Sequence, residues 1–186
     1  LARSRGLGDV YKRQTDESSS VPADSACYSY DFGDMNGNGY LDLLGANAGP
    51  SNRELLARNT GAGFFQDASA LLSSNTTGDD NDSKFFDIDG DGDLDIIIAA
   101  LYQSREKIHI NDDNSFSLNV FAITGSNDAT LDVCVADFDG DGDYDVVTAQ
   151  GESGAWQNKI FINSTGPADL LPPRIISTEE QEDTPD

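Results

Sequence analysis

An acidic nine-residue motif recurs along the chain at long spacing. Asp87-Ile-Asp89-Gly-Asp91-Gly-Asp93-Leu-Asp95 returns as Asp137-Phe-Asp139-Gly-Asp141-Gly-Asp143-Tyr-Asp145, and a looser copy reads Asp34-Met-Asn36-Gly-Asn38-Gly-Tyr40-Leu-Asp42. The copies start 53 and 50 residues apart. A period of that length makes each repeat a supersecondary unit, not one turn of a short solenoid. The flanks repeat too. Before the motif stand Cys27–Tyr30, Ser83–Phe86 and Val133–Ala136; after it stand Leu43–Ala46, Ile96–Ala100 and Val146–Ala149. A third run, Arg53–Arg58, Glu106–Ile110 or Asn158–Ile162, leads in each copy to an asparagine, Asn59, Asn111 or Asn163. Two copies add a fourth run, Phe64–Ala68 and Phe116–Phe121. These are short β-branched or aromatic runs of strand length. Four of them per ~50 residues is the dimension of a propeller blade. The expected fold is therefore all-β, a partial β-propeller of about three four-stranded antiparallel blades, the acidic loop joining the first two strands of each. The blades are placed at about 24–78, 79–128 and 129–166.

Oxygen donors at positions one, three, five and nine, with glycines at four and six, make a cage for a hard cation. Ca²⁺ takes six to eight oxygens, whereas zinc favours thiolate or imidazole. Position seven varies between Tyr40, Asp93 and Asp143, so its backbone carbonyl is the expected donor. An EF-hand shares the opening spacing but needs a carboxylate at position twelve, where this chain has Gly45, Ile98 and Thr148. Calcium-binding nonapeptide coils would need tandem copies, and there are none. Five carboxylates in nine residues repel one another, a cost that a bound cation offsets.

With their flanking strands, the three copies resemble FG-GAP/VCBS-type repeats, the Ca²⁺-binding blades of integrin-like β-propellers, over about residues 24–166. The resemblance implies one Ca²⁺ per loop. The ligands would come from Asp87, Asp89, Asp91, Asp93 and Asp95, and from Asp137, Asp139, Asp141, Asp143 and Asp145. Asp34, Asn36, Asn38, Tyr40 and Asp42 form the first site, expected to be the weakest because only Asp34 and Asp42 are charged.

The 186 residues carry 34 acidic against 11 basic side chains, a net charge of −23. A partner bound through phosphate neutralisation, as nucleic acid is, needs the opposite sign. The longest apolar run, Ile96–Tyr102, is seven residues, too short to span a bilayer as a helix. Residues 1–14 hold Arg3, Arg5, Lys12 and Arg13 against Asp9 alone, a break in composition that resembles translated sequencing-adapter read-through. Residues 15–23 read as a linker, and 167–186, with Pro172-Pro173 and an acidic run, as a linker into a truncated module resembling a cadherin-like sandwich. Cys27 and Cys134 fall in strand-like stretches and are expected to be small buried hydrophobes.

No catalytic constellation emerges. His109 lies between Ile108 and Ile110 in a strand and reads as structural. Gly151-Glu-Ser-Gly-Ala155 lacks the final glycine and the helix of a nucleophile elbow. Trp156, Tyr102 and Tyr144 could stack on a sugar, but blade aromatics more often pack between sheets. Sequons at Asn75, Asn81 and Asn163 identify no ligand in so asparagine-rich a chain. The chain thus reads as a non-catalytic, Ca²⁺-stabilised propeller segment of a secreted or cell-surface protein, used for adhesion or for binding glycan or protein. The alternative is an accessory part of a large extracellular enzyme such as a polysaccharide-degrading one.

Overall fold

The computed structural model describes residues 16–24, 26–48, 52–75, 77–101, 105–119, 123, 129–151 and 156–164. The expected basic tail, 1–14, and the C-terminal linker, 167–186, lie outside them.

Among the described residues, eleven strands form three antiparallel meanders. The first sheet is β1 (Cys27–Gly33), β2 (Asp42–Asn47), β3 (Leu55–Asn59) and β4 (Phe65–Asp67). The second is β5 (Asp80–Phe86), β6 (Asp95–Ala100), β7 (Lys107–Asp112) and β8 (Ser115–Asn119). The third has three strands among the described residues, β9 (Thr130–Ala136), β10 (Asp145–Gln150) and β11 (Lys159–Phe161). Each acidic loop joins the first two strands of its sheet, with register Gly33↔Asp42, Phe86↔Asp95 and Ala136↔Asp145. The turn between β7 and β8 places Asp113 and Asn114 at φ 51° and 68°. Two successive left-handed residues match the twist of a tight hairpin, and Asp and Asn tolerate that region better than most.

Stacking explains the apolar middle strands. β2 and β6 are buried at every residue. Leu44 and Leu56 of the first sheet, with Met35 from its loop, meet Phe85, Ile96 and Ile98 of the second. On the other side of the second sheet, Phe86, Ile97 and Ile108 meet Val133 and Val146 of the third. Successive residues of β6 therefore point to opposite neighbours, and Ile96, Ile97 and Ile98 are all fully buried. Each contributes about 1.5–3 kcal/mol of burial. β10 repeats the run, but Val147 and Ala149 are only half-buried because no further sheet lies beyond them among the described residues.

The same lack of cover corrects the expectation for the cysteines. Cys134 is in β9 but on its open face, and is exposed; Cys27, at the start of β1, is half-buried. Tyr144 and Trp156 are also not sealed between sheets, at 37% and 50% exposure. Tyr144 lines the mouth of a cleft of about 220 Å³ between the second and third sheets, with Ile88, Val146 and Phe161. Tyr102 lies outside the described residues.

Polar contacts also bind the sheets to one another. The Asp31 carboxylate accepts from Phe85 N at 2.7 Å, and Asp82 accepts from Val133 N at 3.2 Å. Lys107 Nζ donates to Asp80 Oδ2 at 2.7 Å and to Glu54 Oε1 at 3.2 Å, joining first and second sheets through one cation and two buried acids. Burial, and then the neighbouring Glu54, push the Asp80 carboxyl up to about 7.

His109, at 1% exposure, shows no partner for either ring nitrogen among the described residues. Burial, with the Lys107 charge adding to it, lowers its pKa to about 4. The fold thus holds the neutral ring, a contribution present above the unfolded value of 6.5 and lost as pH falls toward 4. His109→Leu should stabilise the chain by about 1–3 kcal/mol at neutral pH by removing orphaned polar atoms. Denaturant titrations should show that advantage widening from pH 6.5 to pH 4.

Candidate metal centre

The loops wrap around the carboxylate at position one. Asp87 accepts from Gly90 N at 2.8 Å and Gly92 N at 3.0 Å; Asp137 accepts from Gly140 N and Gly142 N at 2.6 and 3.2 Å. Gly90, Gly92, Gly140 and Gly142 have φ of 76°, 94°, 81° and 99°, a region that a Cβ disfavours. Positions three and five each cap the amide two residues on: Asp89 accepts from Asp91 N, and Asp91 from Asp93 N, at 3.3 and 2.9 Å. These turns gather side-chain oxygens toward the interior of the loop.

Position nine anchors the loop to the sheet. Asp42, Asp95 and Asp145 are fully buried. One oxygen of each accepts from the amide at position two: Met35 at 3.1 Å, Ile88 at 2.9 Å and Phe138 at 2.8 Å. The other accepts from the asparagine amide after the third run: Asn59 at 2.7 Å, Asn111 at 2.7 Å and Asn163 at 2.8 Å. Burial raises the Asp42 carboxyl and pushes Asp95 up to about 6 against those two hydrogen bonds. Asp89 is also raised, by desolvation and by the charges of Asp91 and Asp87.

Two groups result. Asp87, Asp89 and Asp95 offer carboxylate oxygens all within 4.8 Å of one another, and so do Asp137, Asp139 and Asp145. Three anionic oxygens converging without thiolate or imidazole fit a hard divalent cation. Asp91, Asp93, Asp141 and Asp143 belong to the same loops but stand outside these triples. The first loop differs. Asn36 takes position three, and its Nδ2 donates to Asp42 Oδ2 at 3.0 Å. Asn38 donates to the Asn59 carbonyl at 3.4 Å, and Tyr40 is 49% exposed. An internal donor here offsets charge that the other loops leave facing charge.

The asparagines after the third run play a part that their sequence position does not reveal. Asn111 Nδ2 donates to the Leu94 carbonyl of its own loop and, at 3.0 Å, to the Met35 carbonyl of the preceding one. Asn163 Nδ2 donates at 2.9 Å to the Ile88 carbonyl, again one loop back. The only sequence signal was their recurrence after each third run.

Loop, anchoring aspartate and following asparagine recur in each sheet at intervals of 50 to 53 residues, and a family model described as FG-GAP-like repeat matches residues 34–98 and again 87–148. The chain belongs to the FG-GAP-like repeat family. Each match runs from one acidic loop into the second strand of the next sheet, so the repeat as a family unit straddles two sheets. No curated protein is similar enough to count as a match.

In the metal-free chain the raised Asp95 carboxyl contributes stability below its unfolded value of 3.8, lost as pH rises through about 6. A cation needs the ionised form, so metal-dependent stabilisation should grow over the same window. Thermal unfolding between pH 4 and pH 7, with and without calcium, should show the two curves separating as pH rises, and Asp95→Asn should flatten the metal-free slope.

Proposed function

We propose that this chain is a non-catalytic, calcium-binding β-propeller segment of a secreted or cell-surface protein, serving adhesion or the binding of a glycan or protein. The observation that carries the calcium reading is the pair of carboxylate triples, Asp87/Asp89/Asp95 and Asp137/Asp139/Asp145. Their loops are wound by left-handed glycines, and the position-nine carboxylate of each is tied into the sheet. Asp91, Asp93, Asp141 and Asp143, with Asp34, Asn36, Asn38, Tyr40 and Asp42 of the first loop, complete the candidate donors.

Family membership supports an extracellular setting. Extracellular calcium modules bind at about 10⁻⁴–10⁻³ M. At about 1 mM calcium each such site adds on the order of 0.4–1.4 kcal/mol by mass action. That is a structural role: the ion holds the loop that separates the first two strands and screens a chain of net charge −23. The second reading, an accessory propeller within a large extracellular enzyme, rests on the same fold and is favoured if a catalytic module shares the full-length gene.

Calorimetry on the whole chain tests the calcium reading. Calcium should raise the melting temperature, chelator should reverse the rise, and magnesium at equal concentration should do little because it dehydrates reluctantly. Asp89→Ala or Asp139→Ala should remove one site's share. Asp34→Ala should cost the least calcium response, and finding it the most damaging of the three would refute the ranking of the loops.

A further inference from the structure

A series of hydrogen bonds runs from each acidic loop into the one before it. In the third loop, Asp145 Oδ1 accepts from Asn163 N at 2.8 Å while its Oδ2 accepts from Phe138 N at 2.8 Å. The side chain of the same Asn163 donates at 2.9 Å to the Ile88 carbonyl in the second loop. Ile88 N donates to Asp95 Oδ2 at 2.9 Å, and Asp95 Oδ1 accepts from Asn111 N at 2.7 Å. Asn111 Nδ2 then reaches the Met35 carbonyl in the first loop at 3.0 Å. Each asparagine thus ties the position-nine anchor of its own loop, through its amide, to a neighbouring loop, through its side chain.

The carbonyl that Asn163 grips lies among the convergent carboxylates of the second loop. Ile88 stands between Asp87 and Asp89, two members of that triple, and its amide is held by Asp95, the third. A bond to its carbonyl fixes the planar peptide that joins Ile88 to Asp89. Second and third loops carry aspartate at the same five positions, so ligand charge is equal in the two and the effect of the link between them can be read against constant donor chemistry.

We propose that cation binding in the second and third loops is positively coupled through Asn163, a filled third loop tightening the second and the reverse. The inference rests on the calcium reading above. Without a cation, five like charges push each loop apart. An opened third loop loosens Asp145 from the Asn163 amide, and the Asn163 side chain then loses its hold on the Ile88 carbonyl. Closing the third loop restores that hold, so less ordering remains when the second loop closes. Linkage makes the effect equal in both directions. Charge alone has the opposite sign, because a cation in one loop disfavours a cation in the next. At ~0.15 M salt that repulsion is screened over about 8 Å.

Calcium titration of the whole chain at ~0.15 M salt, followed by NMR at the Gly92 and Gly142 amides, reads the two loops separately. Each of these amides bonds the position-one carboxylate of its own loop. The chains compared are the parent, Asp139→Ala, Asn163→Ala and the double variant. Asp139→Ala should weaken calcium binding at Gly92 by ~5-fold or more, the size of a typical coupling. Asn163→Ala should weaken it by a similar factor, and adding Asp139→Ala should then cost Gly92 nothing further. A merely structural Asn163 would leave the dependence on Asp139 in place. Asn163 is half-buried, circular dichroism checks that its variant folds, and Asn163→Ser replaces an alanine variant that does not. The proposal is overturned if binding at Gly92 is indifferent to Asp139→Ala or strengthened by it, or if the dependence survives loss of the Asn163 side chain. Calcium binding without coupling overturns this inference alone. If neither amide of the parent responds to calcium, the calcium reading falls and this inference with it.

Discussion

The position-nine aspartate is the contact on which the architecture rests. A buried carboxylate with both oxygens engaged by backbone amides fixes the loop's second residue and the end of the third strand at once. The loop, the second strand and the third strand are thereby tied together in each repeat. Burying such a charge is costly, and two charge-assisted hydrogen bonds are what make it tolerable. Asp95 shows the cost still unsettled, with its carboxyl pushed up to about 6.

That anchor links the candidate metal centre to the packing of the sheets. The position-two residue whose amide it holds is also an apolar knob: Met35 is buried in the cluster between first and second sheets, and Ile88 packs against the next. The carbonyl of that residue receives the asparagine of the following sheet. A cation gathered at positions one, three and nine would thus sit one residue away from the interface between neighbouring sheets. Loop order and sheet stacking are consequently a single structural problem.

The first repeat solves that problem differently. Asn36 replaces a carboxylate and supplies a hydrogen-bond donor to Asp42, so part of the repulsion is relieved from within. Its sheet is also the one whose outer face is covered by the N-terminal segment, through Val21. The third repeat has the fully acidic loop but an uncovered outer face, where Cys134, Ile160 and Phe138 meet solvent. The repeats share strand order and loop anchoring and differ in their surroundings.

The amino-acid sequence by itself determined the repeat, its strands and the acidic loops between the first two strands, because apolar runs of strand length and paired glycines act locally. It also determined which loop is least charged. The exposure of the cysteines and of Tyr144 was not legible, since whether a strand face is buried depends on a neighbouring sheet about fifty residues away. The sequence marked positions one, three, five and nine as side-chain donors and position seven as a carbonyl donor. Only the folded chain separated positions one, three and nine, which converge, from positions five and seven, which stand apart, because convergence depends on how the loop closes over the sheet. The bridging role of Asn111 and Asn163 was likewise a tertiary decision: each asparagine reaches a carbonyl 76 or 75 residues earlier in the chain, and no local pattern encodes a bond of that span.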